Sequence, residues 1–256
     1  MKLLFNTKIN INELKTAKEQ GLTCVQSRLD CQNNTIICRY GVLPHYQELE
    51  QDLIQLNAKL INSYEQHLFV ANFEYYQILK KFTPKTWFNI QDINEPGPFI
   101  VKGITNSKKM NWNKYMFAVD KKDAMEKMFL LQEDSYLNNQ PIIFRKYEKL
   151  KTFELGLNEL PITNEFRFFY LNGNLIDFGY YWTISDFTGE INQAGMIFAN
   201  KIAQIIKDKI NFVVIDIAQK EDGSWILIEL NDGQMSGLAT IPADRFYSNL
   251  AKLIIS

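Results

Sequence analysis

The 256 residues carry 28 Lys+Arg against 29 Asp+Glu, a net charge of −1, with 46% hydrophobic and 13% aromatic residues. That composition belongs to a folded globular chain, long enough for one compact domain or two small ones, and it excludes disordered, fibrous and solenoid architectures. Near-neutral charge supplies no field to gather nucleic acid, no apolar run reaches the ~20 residues of a membrane span, and MKLLFNTKININ turns polar too soon for a secretory segment, so a cytoplasmic protein without nucleic-acid or membrane partners is expected.

From the start of the chain, β-like runs over residues 2–5, 23–29 and 35–42 alternate with helical stretches over 11–20, 46–56 and 64–80, the last with Phe69, Phe73 and Tyr76 at three- and four-residue spacing. This predicts a small α/β domain over residues 1–95. Cys24, Cys31 and Cys38 lie here without the close pairs of a zinc site, and they read as reduced thiols. Asn94-Glu95-Pro96-Gly97-Pro98 can continue neither a helix nor a central strand, and a boundary is placed there. Over residues 96–256 the pattern becomes α+β, with helices expected on mostly antiparallel sheet. A strand over 99–102, a helix over Lys121–Gln132 and a strand over 141–147 precede a hairpin of 165–171 and 175–181 around Asn172-Gly173-Asn174. A helix over 193–207 and strands over 212–217 and 225–229, around Glu221-Asp222-Gly223, follow.

The chemistry concentrates in FVVIDIAQKEDGSWILIELNDGQMSG, residues 212–237. Glu229 and Asn231 are two apart and share a face of an extended strand, and pairing through the Asp-Gly turn brings Asp216 close to them. Two carboxylates and an amide oxygen are hard ligands suited to Mg²⁺, which completes its octahedron with water and nucleotide phosphates. Upstream, Lys102, Arg145, Lys146 and Arg167 come from three β segments and match a polyphosphate cradle. The intervening loop, GITNSKKMNWNK, offers Ser107, Lys108 and Lys109 as donors but lacks P-loop spacing. With only His45 and His67 available, a histidine-rich metal site or hydrolase triad lacks material.

The order of strand Lys, loop, helix, basic strand, hairpin Arg and terminal Asp…Glu-x-Asn resembles the ATP-grasp superfamily. VKGITNSKK, FRKYEKL, NEFRFFYLNG and IELNDGQMSG look more narrowly like the divergent clade that includes the eukaryotic cell-division-cycle assembly factor of translation initiation factor two and bacterial and phage proteins. The resemblance covers residue 98 onward well and is looser over the first 95 residues, which would form the pre-ATP-grasp domain. It implies that ATP and Mg²⁺ are bound, with Lys102 and Lys146 on phosphates or adenine and Arg145, Lys146 and Tyr147 in the adenine hinge. It also implies that Arg167 faces the γ-phosphate or an acyl phosphate, that Glu165 orients it, and that Asp216, Glu229 and Asn231 hold one or two Mg²⁺, with Asp232 behind them. Ser107 would close over the phosphates, although ordinary members have a glycine-richer loop.

The activity implied is an ATP- and Mg²⁺-dependent carboxylate–amine ligase working through an acyl phosphate on a small molecule, peptide or protein, with Lys102 and Arg167 as catalytic cations. The rival is an ATP-binding assembly chaperone without ligase turnover. On the acceptor side, Arg39 and Tyr40, with Ser63, Tyr64 and Glu65, are candidates to face the nucleotide across a domain cleft. Tyr180, Tyr181 and Trp182 either line the acceptor pocket or simply pack.

Overall fold

The computed structural model describes residues 1–6, 11–135 and 137–255. The chain opens with β1 (Lys2–Leu4), α1 (Ile11–Glu19), β2 (Cys24–Val25), β3 (Thr35–Cys38), α2 (Tyr46–Gln55) and β4 (Lys59–Leu60), which give a parallel sheet of order β2-β1-β3-β4. The predicted strand over 23–29 stops at Val25 because the Ser27 side chain caps a 3₁₀ turn over Arg28–Cys31. In α2, Tyr46, Leu49 and Leu53 form the inward stripe expected of an amphipathic helix.

The single helix predicted over 64–80 is two helices, α3 (Tyr64–Ala71) and α4 (Tyr75–Leu79). Ser63 and Gln66 form a capping box at the start of α3. The break lies at Phe73, whose φ of 61° is incompatible with a continuous helix. Its ring packs 4.5 Å from that of Tyr75 and 6.0 Å from that of Tyr76, so the helical spacing of aromatics reflects a tertiary cluster.

Next come β5 (Thr86–Trp87), β6 (Phe99–Gly103), β7 (Phe117–Ala118), α5 (Lys121–Gln132) and β8 (Ile142–Lys146). Together their strands make an antiparallel sheet of order β5-β8-β6-β7, to which β5 contributes from before residue 94. The Pro-Gly-Pro segment lies tightly against α5's approach: a Cβ on Gly97 would sit 2.1 Å from the Val119 carbonyl oxygen.

The remainder comprises β9 (Thr152–Leu155), β10 (Pro161–Thr163), β11 (Glu165–Leu171), β12 (Asn174–Tyr180), α6 (Gln193–Ile206), β13 (Phe212–Gln219), β14 (Trp225–Asp232) and α7 (Ala243–Ile255). A second antiparallel sheet has the order β12-β11-β13-β14. Asn172 and Gly173 both have positive φ, 50° and 75°, the two-residue turn that suits a right-twisted hairpin. The β9–β10 hairpin and α7 were not anticipated from periodicity. The Phe246, Tyr247 and Leu250 side chains of α7 join Leu3, Phe5 and Leu14 to Phe169 and Phe212, welding the N-terminal sheet to the second antiparallel one. No helix among the described residues is long and apolar enough to cross a membrane.

Strand alternation gives the second sheet two faces. Phe168, Tyr170, Val213, Ile215 and Ile217 pack with α6, while Phe169, Leu171, Phe212 and Val214 face α7 and β1. On β14, Leu227 pairs with Ile217 and Glu229 with Asp216, leaving Ile228 as the extra residue of a β-bulge. In a regular strand Glu229 and Asn231 would share a face with Trp225 and Leu227. The bulge turns them to the opposite face, in line with Asp216.

Candidate functional site

Three strands present one row of charge. Arg167, Asp216 and Glu229 are direct cross-strand partners on β11, β13 and β14. Arg167 grips Asp216 with both ends of its fork, Nε to Oδ1 at 2.9 Å and Nη2 to Oδ2 at 2.7 Å. From the first antiparallel sheet, Lys102 reaches across to Glu229 at 2.8 Å. The Asn231 amide nitrogen donates to Glu229 at 3.2 Å and lies 3.4 Å from Asp216. The two antiparallel sheets therefore meet over a cleft bridged by the Lys102–Glu229 ion pair, with the Arg167–Asp216 pair lying within the second sheet.

The cleft contains a cavity of about 140 Å³ bordered by Lys102, Ser107, Lys109, Tyr147, Glu165 and Glu229, with an apolar side that includes Ile100, Met116 and Leu160. Lys109, in the loop after β6, places its ammonium 4.3 Å from the Tyr181 ring centroid and 5.5 Å from that of Trp182, and donates to the Tyr181 hydroxyl. The Arg167 guanidinium lies over the same Tyr181 ring, 5.0 Å from its centroid. Lys108 is turned away, 2.7 Å from Asp134.

Strand β8 and the residue after it divide their side chains. Arg145 borders the cavity, but its donors go to protein: the Ile228 carbonyl at 2.6 Å, Thr83 Oγ1 at 2.6 Å and Thr86 Oγ1 at 3.4 Å. Lys146 borders the cavity while its ammonium donates to the Pro96 carbonyl. Tyr147 holds the chain through its amide, which donates to the Pro98 carbonyl at 3.1 Å, and its ring packs edge-on against Phe117.

Burial dominates the electrostatics. It pushes the Glu165 carboxyl up to about 8, with Lys109 opposing and Asp216 and Glu229 adding to the rise. It works against the Glu229 charge as well, but Lys102 and Lys109 outweigh it and hold Glu229 well below the usual carboxylate range. Asp216, completely buried, is raised by desolvation against the pull of Arg167. Lys109 is raised despite its burial, by Tyr181, Glu165 and Glu229. The site thus combines an ionised Glu229 with a carboxylic acid, Glu165, that is predominantly protonated near neutrality.

Several candidates lie elsewhere. Arg39 is buried at the junction with α7, bonded to the Gly233 carbonyl at 2.8 Å, Glu13 at 3.0 Å and Tyr247 at 3.2 Å, and does not border the cleft. Tyr40 packs beside the α2 core. Asp232 turns to the face opposite Asn231, where Tyr46, Asn62, His67 and the Gln234 amide surround it at 2.8–3.3 Å. Alternation along β14 separates it from the carboxylate row. Ser63 serves as a helix cap. Lys109, Tyr181 and Trp182 are more central than the sequence suggested, and only the loop's lysine pair and the Tyr-Tyr-Trp run hinted at them. Thr83, which also donates to the Leu227 carbonyl at 2.8 Å, had no sequence signal.

The donor set compares with a divalent-ion site in kind. No group of three or more Asp, Glu, His or Cys side chains is placed to hold a metal ion among the described residues, so an ion here would have two carboxylates and an amide and would draw further ligands from elsewhere.

Residues 90–250 match the model of the ATP-grasp domain, R2K clade family 3. No curated protein matches the sequence. Among solved structures, D-cycloserine synthetase DcsG is similar with a TM-score of 0.63 at 12% identity, covering 98% of this chain and 99% of that one. The RimK domain protein ATP-grasp from Sphaerobacter thermophilus superposes with a TM-score of 0.61 at 11% identity over 100% of both chains. The ATP-grasp ligase PsnB, complexed with minimal precursor, Mg and ADP, gives 0.60 at 9% identity, covering 99% of this chain and 96% of that one. By the family match over most of its length and by its fold, the chain belongs to the ATP-grasp family of the R2K clade and has the architecture of ATP-dependent ligases.

Proposed function

We propose that this protein is an ATP- and Mg²⁺-dependent carboxylate–amine ligase that proceeds through an acyl phosphate. The observation that carries the reading is the joining of Lys102 to the Arg167–Asp216–Glu229–Asn231 row beside an apolar-sided cavity that Lys102, Lys109 and Glu229 border. Asp216, Glu229 and Asn231 would hold the Mg²⁺, whose contribution is to neutralise phosphate oxygens and align them for transfer.

The protein's own part is alignment and charge. Lys102 and Lys109 offer ammonium groups to the triphosphate, and Arg167, pinned by Asp216, presents its guanidinium edge toward the transferring group. A substrate carboxylate oxygen attacks the γ-phosphorus; the bond to the β,γ-bridging oxygen breaks and ADP leaves with the electron pair. The amine nitrogen then attacks the acyl carbon, the C–O bond to phosphate breaks, inorganic phosphate departs, and the amine proton passes to solvent, leaving an amide. The main-chain hinge at residues 145–147 and the apolar side near Ile100 suit adenine. Ligand pockets usually hold roughly 300–1,000 Å³, so the cavity, at about 140 Å³, must widen for ATP, and the loop carrying Ser107 and Lys109 is the element placed to move.

PsnB complexed with a precursor peptide and DcsG as a synthetase of a small molecule support ligation, with a peptide or protein as one substrate class. The test is ADP and phosphate release across a panel of acids and amines, with and without EDTA. Turnover needing an acid, an amine and Mg²⁺ together is expected. Tight Mg·ATP binding with no release across the panel would overturn the ligase and favour an assembly factor that uses the same site.

A further inference from the structure

A second cavity, about 270 Å³, lies on the other side of Glu229 from the first, so this carboxylate is a wall common to both. Its other surfaces come from far along the chain: the segment after β3, the end of α3, the loop after β6 and the end of β14. Leu43, Val70, Ile104 and Met235 make much of it apolar. The charge contrast with the first cavity is large. Lys102, Lys109, Arg145 and Lys146 border the first, whereas no Lys or Arg borders the second, and its acids are Glu229 and Asp232.

Several features that could receive an anion are already engaged. The amides of Ile104, Thr105 and Asn106, which would otherwise form a nest along the loop, donate to the Pro141 carbonyl at 2.9 Å and to Gln140 Oε1 at 3.0 and 3.2 Å. His67 faces Asp232 through Nδ1 at 3.3 Å and stacks on Tyr46. A carboxylate entering this cavity would lose its hydration, find no Lys or Arg on the cavity wall and meet Asp232 beside a Glu229 whose charge is already shared with Lys102. An ammonium group on an apolar body meets the reverse conditions.

Resting on the ligase reading, we infer that this cavity is the acceptor site and that its acceptor is a primary amine on an apolar body with no carboxylate beside the nitrogen. A free α-amino acid is excluded by the same charge argument; an alkylamine, an arylalkylamine or a lysine side chain fits. Position beside Glu229 puts such a nitrogen next to the site of phosphoryl transfer while the cationic cavity keeps the nucleotide.

The experiment titrates phenethylamine, phenylalanine and 3-phenylpropionate into the full chain with Mg²⁺ and a non-hydrolysable ATP analogue, read by ligand-observed NMR or calorimetry. Phenethylamine is expected to bind at least about tenfold more tightly than either carboxylate. Ala71→Trp, at the cavity wall, should abolish amine binding while leaving affinity for the ATP analogue unchanged. Leu43 is 57% exposed, so Leu43→Arg should fold normally, and the cation it introduces should raise 3-phenylpropionate affinity about tenfold. Equal or tighter binding of either carboxylate to the wild type, amine binding unaffected by Ala71→Trp, or no binding of any of the three overturns the inference. ADP release driven by a free amino acid as acceptor would overturn it while leaving the ligase reading standing; selective amine binding with no ADP release alongside any acid would do the opposite.

Discussion

Arg145 Nη1 donates to the carbonyl of Ile228 at 2.6 Å, and Ile228 is the residue that the bulge in β14 leaves without a cross-strand partner. The same guanidinium reaches Thr83, whose hydroxyl donates to the preceding carbonyl, that of Leu227. A buried cation from one sheet thus braces the irregularity in the other that turns Glu229 into the cleft.

Arg145→Met should therefore act on both stability and turnover. Losing the charged hydrogen bonds of a buried group costs about 1.5–3 kcal/mol, read as a lower denaturation midpoint. Relaxation of the bulge should also lower kcat by roughly tenfold or more. A variant with normal turnover would show that the bulge holds Glu229 without this brace.

Glu229→Gln keeps a side-chain oxygen for Lys102 but removes the charge. Mg²⁺-dependent turnover should fall by at least about 100-fold, with circular dichroism and fold unchanged. Unaltered turnover and unaltered affinity for the Mg²⁺ complex of an ATP analogue would refute the ion-binding role. Lys102→Met should weaken ATP about 10- to 100-fold, the equivalent of a charge-assisted hydrogen bond, and adenosine scarcely at all. Equal losses for both ligands would remove Lys102 from the phosphates.

Glu165 predicts a pH dependence. Burial raises its pKa to about 8 in the folded chain from an ordinary 4.5. Below 4.5 both states carry the proton, so the group has no effect. Between 4.5 and 8 the unfolded chain releases the proton while the folded chain retains it, so stability falls as pH rises, by at most about 1.4 kcal/mol per pH unit. Glu165→Gln should flatten that slope in melting temperatures measured from pH 5 to 8. An identical slope in the variant would show that Glu165 does not titrate in this window.

Asp232→Ala separates the role of Asp232 from that of Glu229, three residues earlier on the same strand. Tyr46, Asn62 and Gln234 would lose a common acceptor, at a cost of about 2–4 kcal/mol, while affinity for ATP should stay within about threefold. A large loss of ATP affinity with unchanged stability would return Asp232 to the nucleotide site.

How much of this was readable in advance differs from residue to residue. Side-chain period and turn chemistry are local properties, so the antiparallel hairpin around Asn172-Gly173, the alternating elements of the first 60 residues and helices such as Lys121–Gln132 were legible. So was the need of Asp216 and Glu229 for partners, because carboxylates inside apolar strands demand them wherever they fall. The side each donor faces was a different matter. Two-residue spacing correctly grouped Glu229 with Asn231, but their alignment with Asp216 depends on one unpaired residue, Ile228, and on braces from Thr83 and Arg145 that are remote in sequence. Arg145 read as a phosphate ligand because its charge is visible in the sequence and its partners are not. Arg39 read as a site residue for the same reason, and its bonds to Glu13, Gly233 and Tyr247 claim it, while Asp232 faces Tyr46, Asn62 and His67 instead of the carboxylate row. Composition and local pattern determined the elements and the chemical inventory of this protein; the tertiary structure decided which groups face one another, because register shifts and long-range contacts, not neighbouring residues, set those directions.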